Sequence, residues 1–419
     1  MINKKEKGIT LVALVITIVI LIILATVTIN MVFGENGLIQ QAEQARDMTA
    51  NSTVLENENM NSLMGEYINI MEQESEIENP DTRSEVEKAR DEGTFFDTTT
   101  SLKDDSGDIV WIPGGFKIAE DSAVDADNGI VITNEETTKQ FVWIPVEDDT
   151  TMYTEEAGVK LTGVETTTDV YSKLRPRKEY ENENYEHPYL PGKPNTTNLR
   201  EPDVLSSNDT DSQYYEDILG YSSIEKMAEA IVEEYTVTYN SIKTYKGFYI
   251  GRFELTGTVE EPTVQKGQTV LTADTAGNWY YLKKACGNVI NNSYAKSTMI
   301  YGNQWDEVMN WLISTDSKTE EQVNEDSLEW GNYSDSTGSA NENSGEAQTS
   351  GKNEEWKANN IYDLAGNYWE FTQEADMNYR SIRGGRAGAS GIFSASARLY
   401  QDPYRENSVI SCRVALYIR

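Results

Sequence analysis

The C-terminal stretch opens NIYDLAGNYWEF (Asn360–Phe371) and passes through RSIRGG (Arg380–Gly385). It then runs RAGASGIFSASARLYQDPYRENSVISCRVALYIR to Arg419. Aromatic residues crowd its first part, Gly and Ser its middle, and a short apolar strand closes it. A buried aromatic platform followed by an irregular Gly/Ser-rich surface holds adaptable contact residues on a rigid base. The rest of the chain reads as a means of placing this block at a distance from a membrane.

Composition narrows the functions. A chain of 419 residues is long enough for two or three units. Its 35 basic and 70 acidic side chains leave a formal charge of −35. Such a field repels phosphate, which excludes nucleic acid and anionic membrane surfaces as electrostatic partners. The two cysteines, Cys286 and Cys412, cannot build a disulfide scaffold, although they suffice for one bridge outside the cell. The single histidine, His187, removes most imidazole-based metal and acid–base chemistry.

The N-terminus carries Lys4, Lys5 and Lys7, then an uncharged run from Ile9 to Phe33 long enough for a membrane-spanning helix. The lysines place the start in the cytoplasm and the remainder outside. One reading is an uncleaved signal anchor. The other rests on KGITLVALVIT, which resembles the prepilin leader junction of type IV pilins and type II secretion pseudopilins. That resemblance implies a leader over residues 1–8, cleavage after Gly8 and methylation of Ile9. The family usually has Glu at the fifth mature position, where this chain has Ala13. Because that Glu pairs with a neighbouring subunit's N-terminus, the resemblance implies a minor, tip or merely anchored subunit. A helical pattern through Leu38, Ala42 and Ala45, and again from Met60 to Met71, extends the anchor into a stalk over 9–72.

Residues 73–108 are acidic and polar and read as a linker. VWIP then occurs twice, at Val110 and Val142, and predicts two strands of one sheet with Trp111 and Trp143 as core anchors. Residues 147–235 form a polar insertion ending in one helix, SSIEKMAEAIVEEY (Ser222–Tyr235). KTYKGFYIGRFELTG (Lys243–Gly257) predicts a strand, and Trp305, Val308, Met309 and Leu312 predict the apolar face of a helix. Residues 315–358 read as a polar surface loop.

Six landmarks in order carry a second resemblance: Val110–Gly115, Gly247–Glu254, Gln304–Trp305, Asn360–Phe371, Arg383–Gly385 and Arg413–Tyr417. Together they are similar to the formylglycine-generating enzyme and sulfatase-modifying-factor family, over about residues 109–419. The expected fold class is therefore α+β: a long N-terminal transmembrane and stalk helix followed by a C-type-lectin-like domain. Members that make formylglycine bind copper with two cysteines between RGG and the last strand. Aligned on Arg398, those positions fall on Ser390 and Ala395, so the thiolate pair is absent. Iron-dependent relatives need a histidine cluster that one histidine cannot supply. No copper and no iron are expected, and no catalysis.

The resemblance also implies a structural calcium held by a loop at the GN-x-WE motif, through Asp363, Gly366, Tyr368 and Glu370. The alternative is that Asp363 caps a turn and Glu370 pairs with an arginine. The frame RGG…SASAR…DP…CRVALYI resembles the variable region of retroelement-diversified proteins, in which adenines of Asn codons are randomised. Such codons never yield Lys, Glu, Gln, Met or Trp, and between Gly384 and Arg413 only Gln401 and Glu406 break that rule. A plain Gly/Ser-rich loop is the competing reading. Either way the ligand face is expected at Ser390, Ile392, Phe393, Ser394, Leu399, Tyr400, Asp402, Tyr404, Arg405, Asn407 and Ser408, with Phe393 the weakest candidate for exposure.

The leading expectation is a cell-surface protein, anchored or carried with other pilin subunits, that binds an external protein or glycan. An enzyme of the formylglycine-generating or non-haem-iron kind and a structural minor pseudopilin are the alternatives.

Overall fold

The computed structural model describes residues 16, 18–24, 64, 81–136, 138–146, 212–376 and 379–419. The chain divides into two compact units, Met1–Thr82 and Arg83–Arg419. In the first, the described helical positions fall between Ile16 and Leu24, plus Met64. A span needs roughly 20 consecutive apolar helical residues. Among the described residues, no helix is long and apolar enough to cross a membrane. That overturns the expected fold class, which placed a long transmembrane and stalk helix ahead of the globular part. The leader junction at Gly8 and Ile9, and most of 9–72, lie outside the described residues.

The second unit begins inside the stretch expected as a linker. Helix α1 (Glu85–Glu92) starts where the Ser84 hydroxyl accepts a hydrogen bond from the Glu87 amide at 3.1 Å, and stops at Gly93 in the left-handed region. Its polar composition conceals a narrow stripe, Val86 and Ala89, that is buried in the core. Strands β1 (Phe95–Phe96), β2 (Thr100–Lys103), β3 (Ile109–Ile112), β4 (Phe116–Ile118), β5 (Val131–Thr133) and β6 (Gln140–Pro145) follow.

Residues 147–211, most of the expected insertion, lie outside the described set. Helix α2 (Ile224–Tyr245) is capped by Ser223 and ends at Lys246 in a left-handed conformation. It runs ten residues past the expected end at Tyr235. Only Lys243–Tyr245 of that extension is expected as strand; Tyr235, Thr238 and Ile242 recur at helical spacing and are buried. Strand β7 is accordingly shorter than expected, Gly247–Gly251. A Cβ at Gly247 would lie 2.2 Å from the Trp143 ring, so the strand can pack there only as glycine.

Next come β8 (Thr256–Gly257), β9 (Pro262–Thr263), α3 (Ala273–Ala276), α4 (Trp279–Val289), β10 (Ala295–Met299), α5 (Gly302–Ser314) and α6 (Glu320–Asn324). Helix α5 buries Trp305, Val308, Met309 and Leu312, the face its spacing requires. The last third holds β11 (Lys357–Ala358), β12 (Ile361–Tyr362), β13 (Trp369–Asp376), β14 (Tyr379–Arg383), β15 (Arg398–Gln401), β16 (Ile410–Cys412) and β17 (Val414–Ile418).

Two sheets organise these elements. The larger is antiparallel with order β1-β4-β5-β6-β7-β17-β10. The smaller has order β15-β14-β13-β16, with β16 parallel to β13. The chain leaves the smaller sheet after Cys412 and joins the larger at Val414, so Arg413 stands at the junction. The two VWIP strands do not share a sheet. The second lies in β6, inside the large sheet with Trp143 buried. The first lies in β3, paired only with β2, and Trp111 is half-buried with its ring 5.2 Å from Tyr245. Four shared residues fix a strand, but not its neighbours.

Candidate functional site

The expected ligand face hangs from the smaller sheet. Strand β14 ends at Arg383 and turns through Gly384 and Gly385, both at positive φ (86° and 81°). A Cβ on Gly385 would come within 2.3 Å of the Phe393 carbonyl, so the turn depends on glycine. Beneath the turn lies a buried ion cluster. Arg383 reaches Asp306 at 2.6 Å, and Arg398 reaches Asp306 at 3.2 Å and Glu374 at 3.0 Å. Arg383 also donates to the carbonyls of Ser396 and Ala397, at 3.2 and 3.1 Å. Buried charge is tolerable only with this many partners, and the result fixes the floor of the loop.

A second set of clamps comes from the run expected as a free surface loop. Tyr333 Oη donates to the carbonyls of Gly384 (2.8 Å) and Phe393 (2.9 Å). The Ala395 amide donates to Ser327 Oγ at 3.0 Å, while from α5 Trp305 Nε1 donates to the Ala395 carbonyl at 3.0 Å. Asp335 accepts from Ser390 Oγ at 2.5 Å and from the Gly391 amide at 2.9 Å. Residues 315–358 are thus a cradle for 386–397, a role that composition concealed. Trp330 and Tyr333, both buried, were the signal within that polar run.

The eleven expected contact residues separate by depth. Ile392, Tyr404, Arg405 and Ser408 are exposed. Ser390, Leu399, Tyr400, Asp402 and Asn407 are half-buried, as is Phe393, which packs edge-on against Trp369 at 5.6 Å. Ser394 is a correction: it is 1% exposed, drawn inward with the clamped backbone that follows it. The exposed residues lie in two loops, 386–397 and 402–409, joined by β15. Strand β15 is an outer strand of its sheet. Four residues at about 3.3 Å each separate the loops by about 13 Å. The second loop is pinned at its base. The Asp274 amide donates to the Asn407 carbonyl at 3.1 Å, and the Trp279 amide to the Pro403 carbonyl at 2.9 Å. Arg405 pairs with Asp402 at 2.8 Å while staying largely in solvent.

Beside α3 is an open cavity of about 440 Å³, lined by Thr258, Val259, Glu260, Leu271, Thr275 and Tyr281 among others. Sequence reasoning missed it, because its walls come from short segments without a recognisable motif.

The positions expected to bind calcium are arranged differently. Arg413 donates through Nε to Glu370 Oε2 at 2.8 Å and through a second nitrogen to Glu370 Oε1. It also donates to the carbonyls of Gly251 and Tyr362, both at 3.0 Å. A guanidinium therefore stands where a cation would face Glu370, and the four expected residues do not fit calcium. Asp363 accepts from the Gly351 amide at 2.7 Å and from Ser350 Oγ at 3.1 Å, which ties down a turn. Gly366 pairs with Asn332 through its backbone, and the Tyr368 side chain is half-buried. Among the described residues, no group of three or more His, Cys, Asp and Glu side chains could hold a metal ion.

A third acid, Glu254, completes this cluster. Its Oε2 accepts from Asn367 Nδ2 at 2.8 Å, while Glu254 Oε1 and Asp363 Oδ1 are buried with no hydrogen-bond partner. Burial, with Asp363 and Glu370 nearby, pushes Glu254 well above the usual carboxylate range. Burial also raises Asp363, to about 6. Burial and the neighbouring acids thus favour the protonated form of Glu254.

At the two positions where the sequence resemblance would place reactive thiols, Ser390 is bonded to Asp335 and Ala395 is fully buried. The two cysteines sit elsewhere, Cys286 on α4 and Cys412 on β16. They are free, buried, and 3.4 Å apart at sulfur. Burial pushes the Cys412 thiol well up, which keeps it unreactive.

No family model matches the chain, and no curated protein matches it. Among solved structures it is similar to a Treponema denticola variable protein 1, at 16% identity over 41% of this chain and 84% of that one, with a TM-score of 0.27. It is also similar to PvdO from Pseudomonas aeruginosa, at 14% identity over 41% of this chain and 81% of that one, again with a TM-score of 0.27. At these scores the likeness is a coarse one of fold.

Proposed function

We propose that the protein is a binding protein for an external protein or glycan and carries out no reaction at this face. The contact surface is the outer strand β15 with the loops at its two ends. The observation that carries this reading is the contrast in depth along 386–409. Ile392, Tyr404, Arg405 and Ser408 project into solvent, while Arg383, Ala395 and Arg398 beneath them are locked. Aromatic and Arg tips on a rigid floor lose little conformational freedom on binding, which is how such side chains become anchors. Diversification of 386–410, absence of catalysis, and presentation outside the cell belong to the same proposal, and the depleted composition of that segment supports the first.

The test is binding of the full chain to arrayed glycans and surface proteins, compared with a Tyr404→Ala, Arg405→Ala double variant. Loss of binding without loss of folding is expected. Unchanged binding, or oxidation of a cysteine-containing peptide by the protein, contradicts it.

A further inference from the structure

Three side chains from three elements, α2, α4 and β13, converge on one another. Lys283 of α4 is 7% exposed and Gln373 of β13 is 2% exposed. Lys283 Nζ lies 2.5 Å from Gln373 Oε1, across 90 residues of chain. Glu234 of α2 touches both: its Oε1 accepts from Lys283 Nζ at 3.1 Å and from Gln373 Nε2 at 3.1 Å. The carboxamide nitrogen is further surrounded by acceptors, Thr298 Oγ1 at 3.0 Å and the Met299 carbonyl at 2.7 Å. Thr298 and Tyr301 donate to the same Glu234 oxygen, at 2.8 and 2.9 Å, and hold it in place.

An amine, a primary carboxamide and a carboxylate bridging them are the parts of an amide exchange. We propose that Lys283 and Gln373 form an intramolecular isopeptide bond, with Glu234 carrying the proton. Glu234 takes a proton from the Lys283 ammonium, and the neutral Nζ adds to Gln373 Cδ. Collapse of that adduct breaks the Cδ–Nε2 bond while Glu234 returns the proton to Nε2. Ammonia leaves, Glu234 takes the second proton from Nζ and hands it to the ammonia as ammonium, and a secondary amide joins α4 to β13. Amine plus primary amide gives secondary amide plus ammonia, with no change of oxidation state and no co-reactant.

Three features favour the step here. Burial of Lys283 and Gln373 limits hydrolysis of the adduct, and the fixed geometry makes a bimolecular reaction unimolecular. The acceptors around Nε2 also suit a departing ammonia, which has more protons to donate than the amide it leaves. One feature slows it. Burial pushes the Glu234 carboxyl up, but the Lys283 ammonium and the hydrogen bonds from Thr298 and Gln373 bring it to about 2, so the ion pair is the resting state. The reaction needs to occur only once in the life of each molecule, which tolerates a rare neutral pair.

The test is mass spectrometry of the purified full chain with peptide mapping. A peptide joining Lys283 to Gln373, lighter by one ammonia than its two parts, is expected. It should be absent from the Glu234→Gln variant, and from Lys283→Arg, which keeps the cation without the amine. Both residues recovered unlinked from folded wild-type protein, after prolonged warm incubation, overturns the proposal. So does loss of ammonia mapped to any other pair. If the variants do not fold, the wild-type map alone decides.

Discussion

Glu254 shows how a single side chain can hold a charge imbalance inside the fold. Glu254, Asp363 and Glu370 are all buried, and Arg413 is the cation bonded directly to one of them, Glu370. An acid whose folded pKa is raised binds its proton more tightly when folded. Its stabilising effect is therefore full at low pH and fades as pH climbs from the unfolded value toward the folded one. For Asp363 that window runs from about 4 to about 6, and for Glu254 it begins near 4.5 and extends higher. Glu254→Gln, which mimics the protonated acid, is expected to raise stability at pH 7 by about 1–3 kcal/mol. It should also flatten the decline between pH 4.5 and 7 in thermal melts. Equal or lower stability at pH 7 contradicts this. The partnership was only partly legible. Asp363, Glu370 and Arg413 stood in recognisable motifs, and pairing of Glu370 with an arginine was one of two open readings. Which arginine it meets depends on a contact 43 residues away that no local spacing encodes.

The element that decides the site is the loop from Gly384 to Ala397, which is held by another loop as well as by the ion cluster beneath it. Gly385→Ala forces a Cβ against the Phe393 carbonyl and the Tyr333 ring. It is expected to destabilise the protein by about 1–3 kcal/mol and to raise hydrogen exchange across 386–397 while the seven-stranded sheet stays protected. Uniform loss of protection, or none, is the opposing result. Helices with regular spacing were readable, as α5 shows through Trp305, Val308, Met309 and Leu312. Helix α2 was half-readable, since its cap at Ser223 is local while its second half is set by burial. The cradle at 315–358 was not readable. Its contribution lies in backbone and hydroxyl hydrogen bonds from Ser327, Tyr333 and Asp335, which leave no hydrophobic period.

For the molecule as a whole, the excess of acidic residues is consistent with cation binding, yet the sequence-expected calcium loop is closed by Arg413. Removal of calcium with excess chelator is expected to leave the melting temperature unchanged. A fall that calcium restores contradicts the assignment of Arg413 as the internal counter-ion. The membrane-spanning helix read from the apolar run at 9–33 has no counterpart among the described residues, and the binding account does not depend on it. What the account does depend on is the surface along β15. The most direct measurement is the affinity of the full chain for its ligand, found on a glycan and surface-protein array, before and after Tyr404→Ala and Arg405→Ala. The account predicts a loss of at least about tenfold, roughly 1.4 kcal/mol, with an unchanged melting temperature. Undiminished affinity in the folded double variant contradicts it.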